Sequence, residues 1–355
     1  MHSAGFTTLD GGIEEPFEAY VVERMDGSIV QGVRMLDADS LPPGEVTVRV
    51  EWSGLNHKDA MVTEVGNRVA RINPLVPGVD LAGTVVESRS AEHPLGSRVI
   101  AHGFDIGVSR HGGFSRYARL PAQWVIPLPA GMSTREAMVA GTAGFTAVAS
   151  ANLIESHGTS PCAGPVLVTG ASGGVGCFAV AVLASRGFEV VASTGKSSEA
   201  SWLRELGAAQ VIGREDLEMA PERVLAPETF AGAVDCVGGH TLALVARSLC
   251  YGAAVAASGI VGGSALEGTL FPFITRGITL YGVDTVLTPR DGREAIWQRL
   301  GEDLFGIEGN QTAELTDLLV DRETDLSGLP VAIGDLLSGH VRGRVLVRPT
   351  TSPKS

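Results

Sequence analysis

The stretch Pro165–Gly176, PVLVTGASGGVG, constrains the fold more than any other part of the chain. Val166-Leu167-Val168-Thr169 reads as a short buried strand, and the text from Val175 to Gly187, VGCFAVAVLASRG, as a helix closed by its last glycine. Between them lies G-x-x-G-G-x-G. A chain that passes from buried strand to helix through glycines leaves backbone N–H groups and the positive end of the helix dipole open to an anion, with no β-carbon in the way. The spacing departs from the strict G-x-G-x-x-G, and glycine-rich turns are common, so context decides. A second strand, EVVAST, and a helix, SEASWLRELG, closed by Gly207, complete a βαβ unit. AQVIG, AVDCVG, AAVAASG and ITLYGV follow as further strands, with helical text such as TLALVARSLCYG between most of them. From about Met132 to Gly282 this rhythm predicts a doubly wound parallel sheet, with a dinucleotide pyrophosphate held at Ser172, Gly173, Gly174, Val175 and Gly176.

The end of the second strand selects the dinucleotide. A carboxylate there accepts hydrogen bonds from the ribose 2′-hydroxyl of NAD. Here the strand runs into Ser193-Thr194-Gly195-Lys196-Ser197, without a carboxylate until Glu199. Hydroxyls and an ammonium suit a 2′-phosphate, so the expected cofactor is NADPH.

The text before this region differs in kind. From Ala19 to about Gln123, short apolar stretches (EAYVVERM, EVTVRVEWSG, DLAGTVVES, GSRVIAHG, FSRYARLP) are broken by Gly, Pro and Asn, the pattern of an all-β barrel or sandwich. A chain of 355 residues has room for two cores. The expected fold class is therefore α/β: a Rossmann domain over 131–291, and a β-barrel domain over 1–130 and 292–355. The latter takes in the helix REAIWQRLGEDLFG and the terminal strand GRVLVRP.

A formal charge of −13 argues against nucleic acid and against an anionic membrane surface as partners. No apolar run reaches the roughly 18 residues of a membrane span, and MHSAGFTTLD lacks the parts of a signal peptide. A cytoplasmic protein is expected. Cys162, Cys177, Cys236 and Cys250 contain no C-x-x-C pair and are expected as buried free thiols, with Cys177 placed where a helix N-terminus would lower its pKa.

Several segments together resemble a known family: LNHKD at Leu55–Asp59, PGVDLAGTV from Pro77, HGGFSRYARLP from His111, GTAGFTA from Gly141, VLVTGASGGVG, AVDCVGG from Ala233, FPFITRGITLYGVDTVLTP from Phe271, and GRVLV from Gly343. These are similar to the medium-chain dehydrogenase/reductase superfamily and, within it, to the acrylyl-CoA reductase branch of quinone-oxidoreductase-like proteins. The resemblance spans nearly the whole chain, and the FPF…GVD…TP segment is its branch-specific part. It implies a GroES-like catalytic domain beside the Rossmann domain and a homodimer joined through Rossmann edge strands. It also implies cofactor contacts from His57, Thr142, Ile260, Ile274 and Thr285, in addition to the glycine loop and Ser193–Lys196. Zinc members of the superfamily carry Gly-His-Glu and a catalytic cysteine; here the segment reads Gly78-Val79-Asp80 with no nearby cysteine, so no metal is expected. The branch has tyrosine where this chain has His57.

The implied reaction is NADPH-dependent reduction of the activated C=C bond of a short enoyl-CoA, acrylyl-CoA to propionyl-CoA. Without a metal, the enolate oxygen needs hydrogen-bond donors, for which Asn56 and backbone amides are the candidates, with His57 or water as the acid and Lys58 and Asp59 as an orienting pair. Arg276, Arg290, Arg342 and Arg344 are possible coenzyme A contacts, with solvated surface arginines as the plainer reading. An NADPH quinone or 2-enone reductase is the alternative enzyme, and an NADPH-binding sensor without turnover is the alternative of another class.

Overall fold

The computed structural model describes residues 7–9, 12–218, 223–306 and 311–350. The chain forms two compact units, one comprising Met1–Thr142, Val286–Ala295 and Val320–Ser355, the other Ala143–Thr285 and Ile296–Leu319.

The first unit is a curved, mainly antiparallel sheet in the order Val320–Asp325, Arg344–Arg348, Val46–Leu55, Asp80–Ser88, Arg98–His102, Val125–Pro127, with Thr7–Thr8 and Tyr117–Leu120 on side branches. Phe17–Met25 and Ser28–Leu36 form a separate hairpin. Alternating apolar residues point inward, and Val46, Val48, Leu81, Val85, Ile106, Ala118, Leu120 and Val125 make a common core. Gly83 is required where strands Val46–Leu55 and Asp80–Ser88 approach: a β-carbon there would collide with the Arg49 carbonyl, beside a shift in the pairing register.

The second unit is a six-stranded parallel sheet in the order Gln210–Ile212, Val190–Ser193, Val166–Thr169, Phe230–Asp235, Leu249–Ala257, Thr279–Gly282. Counted along the chain this is 3-2-1-4-5-6, the doubly wound Rossmann order, which reverses direction between Val166–Thr169 and Phe230–Asp235. Loops at the carboxyl ends of these two strands flank the crevice where such sheets bind ligands.

The unit borders differ from those read in the sequence. Residues 131–142 and 286–291 lie with the barrel, and Ile296–Leu319 with the parallel sheet. Thr134–Ser156 is one apolar run with a kink at Gly141 (φ 51°), so periodicity carries no mark of the border one residue later. The helix Arg290–Leu300 is amphipathic, but its pattern does not say which core receives the apolar face. In the structure Trp297, Leu300 and Leu304 are buried in the second unit, where Trp297 packs on Phe145 and Arg186 binds Asp303 at 2.6 Å. Thr134–Ser156 also corrects the absence of a long apolar run: it is long and apolar enough to cross a membrane, but it is largely buried inside the protein.

All four cysteines are free. Cys162 is exposed, against expectation, and Cys177 is buried with its Sγ on the Gly174 carbonyl at 3.2 Å. Burial raises the thiols of Cys236 and Cys250.

Candidate functional site

In the parallel-sheet unit the glycine loop enters the helix Gly174–Ser185 with Gly173 as its N-cap. Gly176 allows the helix to pack tightly on the loop, since a β-carbon there would meet the Gly170 carbonyl. Ser172 Oγ lies 2.9 Å from Thr194 Oγ1, tying the ends of two adjacent strands together, and Lys196 N donates to the same Thr194 oxygen at 3.1 Å. Ser193 is buried and Lys196 half-buried.

Two residues join this site that the sequence reading missed. Arg214 lies over Gly195 so closely that a β-carbon on Gly195 would sit 2.5 Å from its Nε. The strand Gln210–Ile212 pairs beside Val190–Ser193, with Ile212 opposite Ser193, which brings the loops of Lys196 and Arg214 together. Asp235, fully buried at the reversal point, accepts from Thr169 Oγ1 at 2.6 Å and from Gly238 N at 2.7 Å. Burial raises its pKa and these bonds hold it back. It fixes the two strands that flank the crevice. Thr169 was legible only as the last residue of a strand; the pairing partner that gives its hydroxyl a purpose is far along the chain.

Ile260 follows the strand Leu249–Ala257 and is 64% exposed, while Thr285 follows Thr279–Gly282 and is half-buried, so both stand on carboxyl-edge loops. Ile274 does not join them within the described residues. It is exposed on the helix Phe271–Arg276, whose Arg276 donates to the carbonyls of Ala226, Arg247 and Leu249 near the amino ends of two strands.

In the barrel unit the LNHKD segment forms the short helix His57–Met61, capped by Asn56. The cap is reciprocal: Asp59 Oδ2 accepts from Asn56 N at 2.9 Å, and the Asn56 side chain accepts from the Asp59 backbone. Asp59 Oδ1 accepts from Gly78 N and Val79 N, each at 2.9 Å. Burial pushes the Asp59 carboxyl up to about 7, the neighbouring Asp80 charge adds to the push, and the three backbone donors oppose it.

Asp80 is the centre of a second network. Its oxygens accept from Gly54 N at 2.8 Å, Asn56 Nδ2 at 2.8 Å, and Thr142 N and Oγ1, both at 2.9 Å. Arg344, 3% exposed, approaches Asp80 at 3.8 Å and donates to Asn56 Oδ1 at 3.1 Å, Leu55 O at 3.3 Å and Val139 O at 3.2 Å. At 3.8 Å the pair is an ionic contact rather than a hydrogen bond. Gly54 and Gly141 make room for it: β-carbons there would intrude on the Arg344 guanidinium and the Asp80 carboxylate.

These networks revise several assignments. Both amide hydrogens of Asn56 are committed, to Asp80 and to the Gly54 carbonyl at 3.1 Å, so Asn56 positions the segment and is not an open donor. Lys58 and Asp59 do not form a pair: Lys58 is exposed, while Asp59 is buried and bound by backbone amides. His57 is exposed on the first turn, and Thr142 is held on Asp80. Arg344 is no solvated arginine, nor is Arg276, which is buried on backbone carbonyls; Arg290 pairs with Glu92 at 2.6 Å and Glu294 at 2.8 Å.

A GroES-like barrel and a Rossmann sheet in one chain define the class of nicotinamide-dependent oxidoreductases. The alcohol dehydrogenase GroES-like domain family matches residues 42–130 and the zinc-binding dehydrogenase family residues 174–300. The protein YhfP of Bacillus subtilis, whose name places it among quinone oxidoreductases, is 43% identical over 94% of this chain and 98% of its own. Its NAD-bound crystal structure superposes with a TM-score of 0.89, at 42% identity over 94% of this chain and all of that one. The acrylyl-CoA reductase AcuI of Ruegeria pomeroyi is 42% identical over 93% of this chain and 98% of its own. The yhdH oxidoreductase of Salmonella enterica, solved with NADP, has a TM-score of 0.88 and 39% identity over 93% of this chain and 99% of that one. The chain belongs to the acrylyl-CoA reductase branch of quinone-oxidoreductase-like proteins, within the medium-chain dehydrogenase/reductase superfamily.

The residues fit a nicotinamide dinucleotide, since glycines open the loop and hydroxyl and cationic groups gather at the second strand. They do not fit zinc. Among the described residues no three His, Cys, Asp or Glu side chains are placed to hold a metal ion, and Asp80 is enclosed by its own donors and Arg344.

Proposed function

We propose that the chain is an NADPH-dependent reductase of short enoyl-CoA thioesters, converting acrylyl-CoA to propionyl-CoA in the cytoplasm. The observation that carries the cofactor is the pair Lys196 and Arg214 around Gly195, with no carboxylate at the end of the second strand. Two cations at the place of the ribose 2′ position favour a phosphate over a hydroxyl. The substrate reading is supported by the likeness to AcuI.

NADPH, when bound, supplies the hydride for the β-carbon of the thioester. The chain's task is to hold the enolate that results and to return a proton to its α-carbon. The Asn56–Asp59 cap and the Asp80–Arg344 network fix the helix His57–Met61 at its start, leaving His57 and Lys58 as its exposed donors. In this reading Lys58 offers a cation to the enolate oxygen or to coenzyme A phosphate, and His57 or water delivers the α-proton.

A quinone reductase using the same cofactor is the second reading, favoured by the equal likeness to YhfP. Anaerobic oxidation of NADPH and of NADH, each with acrylyl-CoA, crotonyl-CoA and a benzoquinone, separates the readings. Preference for NADPH with acrylyl-CoA is expected. Turnover of quinone alone would remove the thioester assignment, and binding without turnover would make the chain a sensor.

A further inference from the structure

We propose that Asp216 is a positioning residue for the 2′-phosphate site: its carboxylate turns back onto the backbone of Gly213 and so holds Arg214 over Gly195. This rests on the reading in which Lys196 and Arg214 take the phosphate, and all of these residues belong to the parallel-sheet unit.

The sequence Gly213-Arg214-Glu215-Asp216 places two carboxylates directly after the cation. By charge alone they oppose a phosphate. The structure gives them other tasks. Asp216 Oδ2 accepts from Gly213 N at 2.8 Å, the return bond by which a carboxylate three residues on closes the start of a helical turn. The Glu215 carboxylate folds onto Gly213, where it fills the place a β-carbon would take. Among the described residues neither carboxylate forms an ion pair with Arg214, whose guanidinium is turned to Gly195: Nε, Cζ and Nη2 lie 2.5, 2.6 and 2.8 Å from the position of a β-carbon there.

The chain is anchored on both sides of this turn. Before it, Ile212 pairs with Ser193, and the Ile212 carbonyl accepts from Thr194 N at 3.1 Å. After it, Leu217 is buried in the core of the parallel sheet, and its N–H donates to the Arg214 carbonyl at 3.2 Å. Gly213 is the link between these anchors, and as a glycine it has the widest backbone freedom in the turn. Its carbonyl is held by a long contact, 3.5 Å from Ser193 Oγ, so the shorter Asp216 bond on its N–H sets the direction in which Arg214 leaves the strand. Across Gly195, the bond from Lys196 N to Thr194 Oγ1 has the same part for the lysine. The charge of Asp216 and its hydrogen bond therefore act on a 2′-phosphate with opposite signs, which makes them separable.

Equilibrium titration of the full chain with NADPH, NADH, adenosine 2′,5′-bisphosphate and AMP tests this. Asp216→Ala removes both the bond and the charge. Loss of the charge by itself would tighten the 2′-phosphate ligands up to about twofold. Through the loosened turn we expect them to bind about fivefold more weakly, with NADH and AMP changed by less than about twofold. Asp216→Asn keeps an acceptor without the charge, and is expected to bind NADPH at least as tightly as the unsubstituted chain. In an Arg214→Ala background Asp216→Ala is expected to bring no further loss, because the two residues act as one. Where Arg214→Ala lowers the preference for NADPH, any of four results would overturn the proposal alone: an unchanged or raised preference in Asp216→Ala, equal losses for NADPH and NADH, weaker NADPH binding by Asp216→Asn, or a further loss in the double variant. An Arg214→Ala variant that keeps the full preference for NADPH would overturn the 2′-phosphate reading and the proposal with it.

Discussion

Lys196 and Arg214 show how much of a site a single residue can reveal. Lys196 stands out in the sequence as a candidate because it follows the second strand of a βαβ unit, the place the proposed reading gives to the ribose. Arg214 follows the third strand, and only the parallel pairing of Ile212 with Ser193 brings it to Gly195. Asp80 and Arg344 were hidden in the same way, since nothing in a terminal strand GRVLV says that its arginine is buried against a carboxylate from another strand. The two cations carry the first prediction. A charge-assisted bond contributes roughly 1.5 to 3 kcal/mol, and partial exposure brings this toward the lower end. Lys196→Ala and Arg214→Ala are each expected to raise the KM for NADPH about tenfold and leave that for NADH within about twofold. Steady-state kinetics with both cofactors check this; equal effects on both would remove the 2′-phosphate assignment.

Strands and helices were legible wherever one period ran unbroken. DLAGTVVES, VLVT and the helix after the glycine loop appear where the text places them. Val320–Asp325 was not, because VDRETD is a polar strand held by parallel pairing to Arg344–Arg348, with the helix Leu329–Leu337 as the crossover. Thr279–Gly282 was read correctly as a strand, but its edge position is a property of the sheet. It pairs only with Leu249–Ala257, its outer backbone groups face no strand among the described residues, and Leu280 is 36% exposed beside it. An open, partly apolar edge is a template for pairing. We propose that it joins two copies of the chain as a homodimer, edge to edge about a two-fold axis. Leu280→Lys is then expected to shift the sedimentation mass from two chains toward one, and a single-chain mass for the unsubstituted protein would discard the assembly.

At the scale of the molecule, the sequence shows two units of different kind and leaves their borders unmarked, since the kinked helical run Thr134–Ser156 passes the border between Thr142 and Ala143 and a second helix passes one between Ala295 and Ile296. The acid sensitivity of the whole follows from charges that each unit keeps inside. His102 is held neutral well below its usual range by burial and by the Arg293 charge; His93 and His111 are lowered by burial, with Arg290 and Arg110 adding to the effect. A histidine whose folded pKa is depressed contributes stability that is complete above its unfolded pKa of about 6.5 and is lost as pH falls toward the folded value. Asp59 acts with the opposite sign: raised to about 7, it favours the folded state below that pH and loses this contribution as pH rises through it. Asp235, also raised, acts in the same direction as Asp59. His102, His93 and His111 take up protons on unfolding, while Asp59 and Asp235 release them, so below about pH 6.5, with three such histidines against two carboxyls, the unfolded chain binds more protons and stability falls with acidification, by roughly 1.4 kcal/mol per net proton per pH unit. The midpoint of thermal unfolding is thus expected to drop from pH 7.5 to pH 5.5, and His102→Asn, which removes one of the three titrating histidines, to flatten that slope. A midpoint that stays level or rises on acidification would mean that the two buried carboxyls outweigh the histidines.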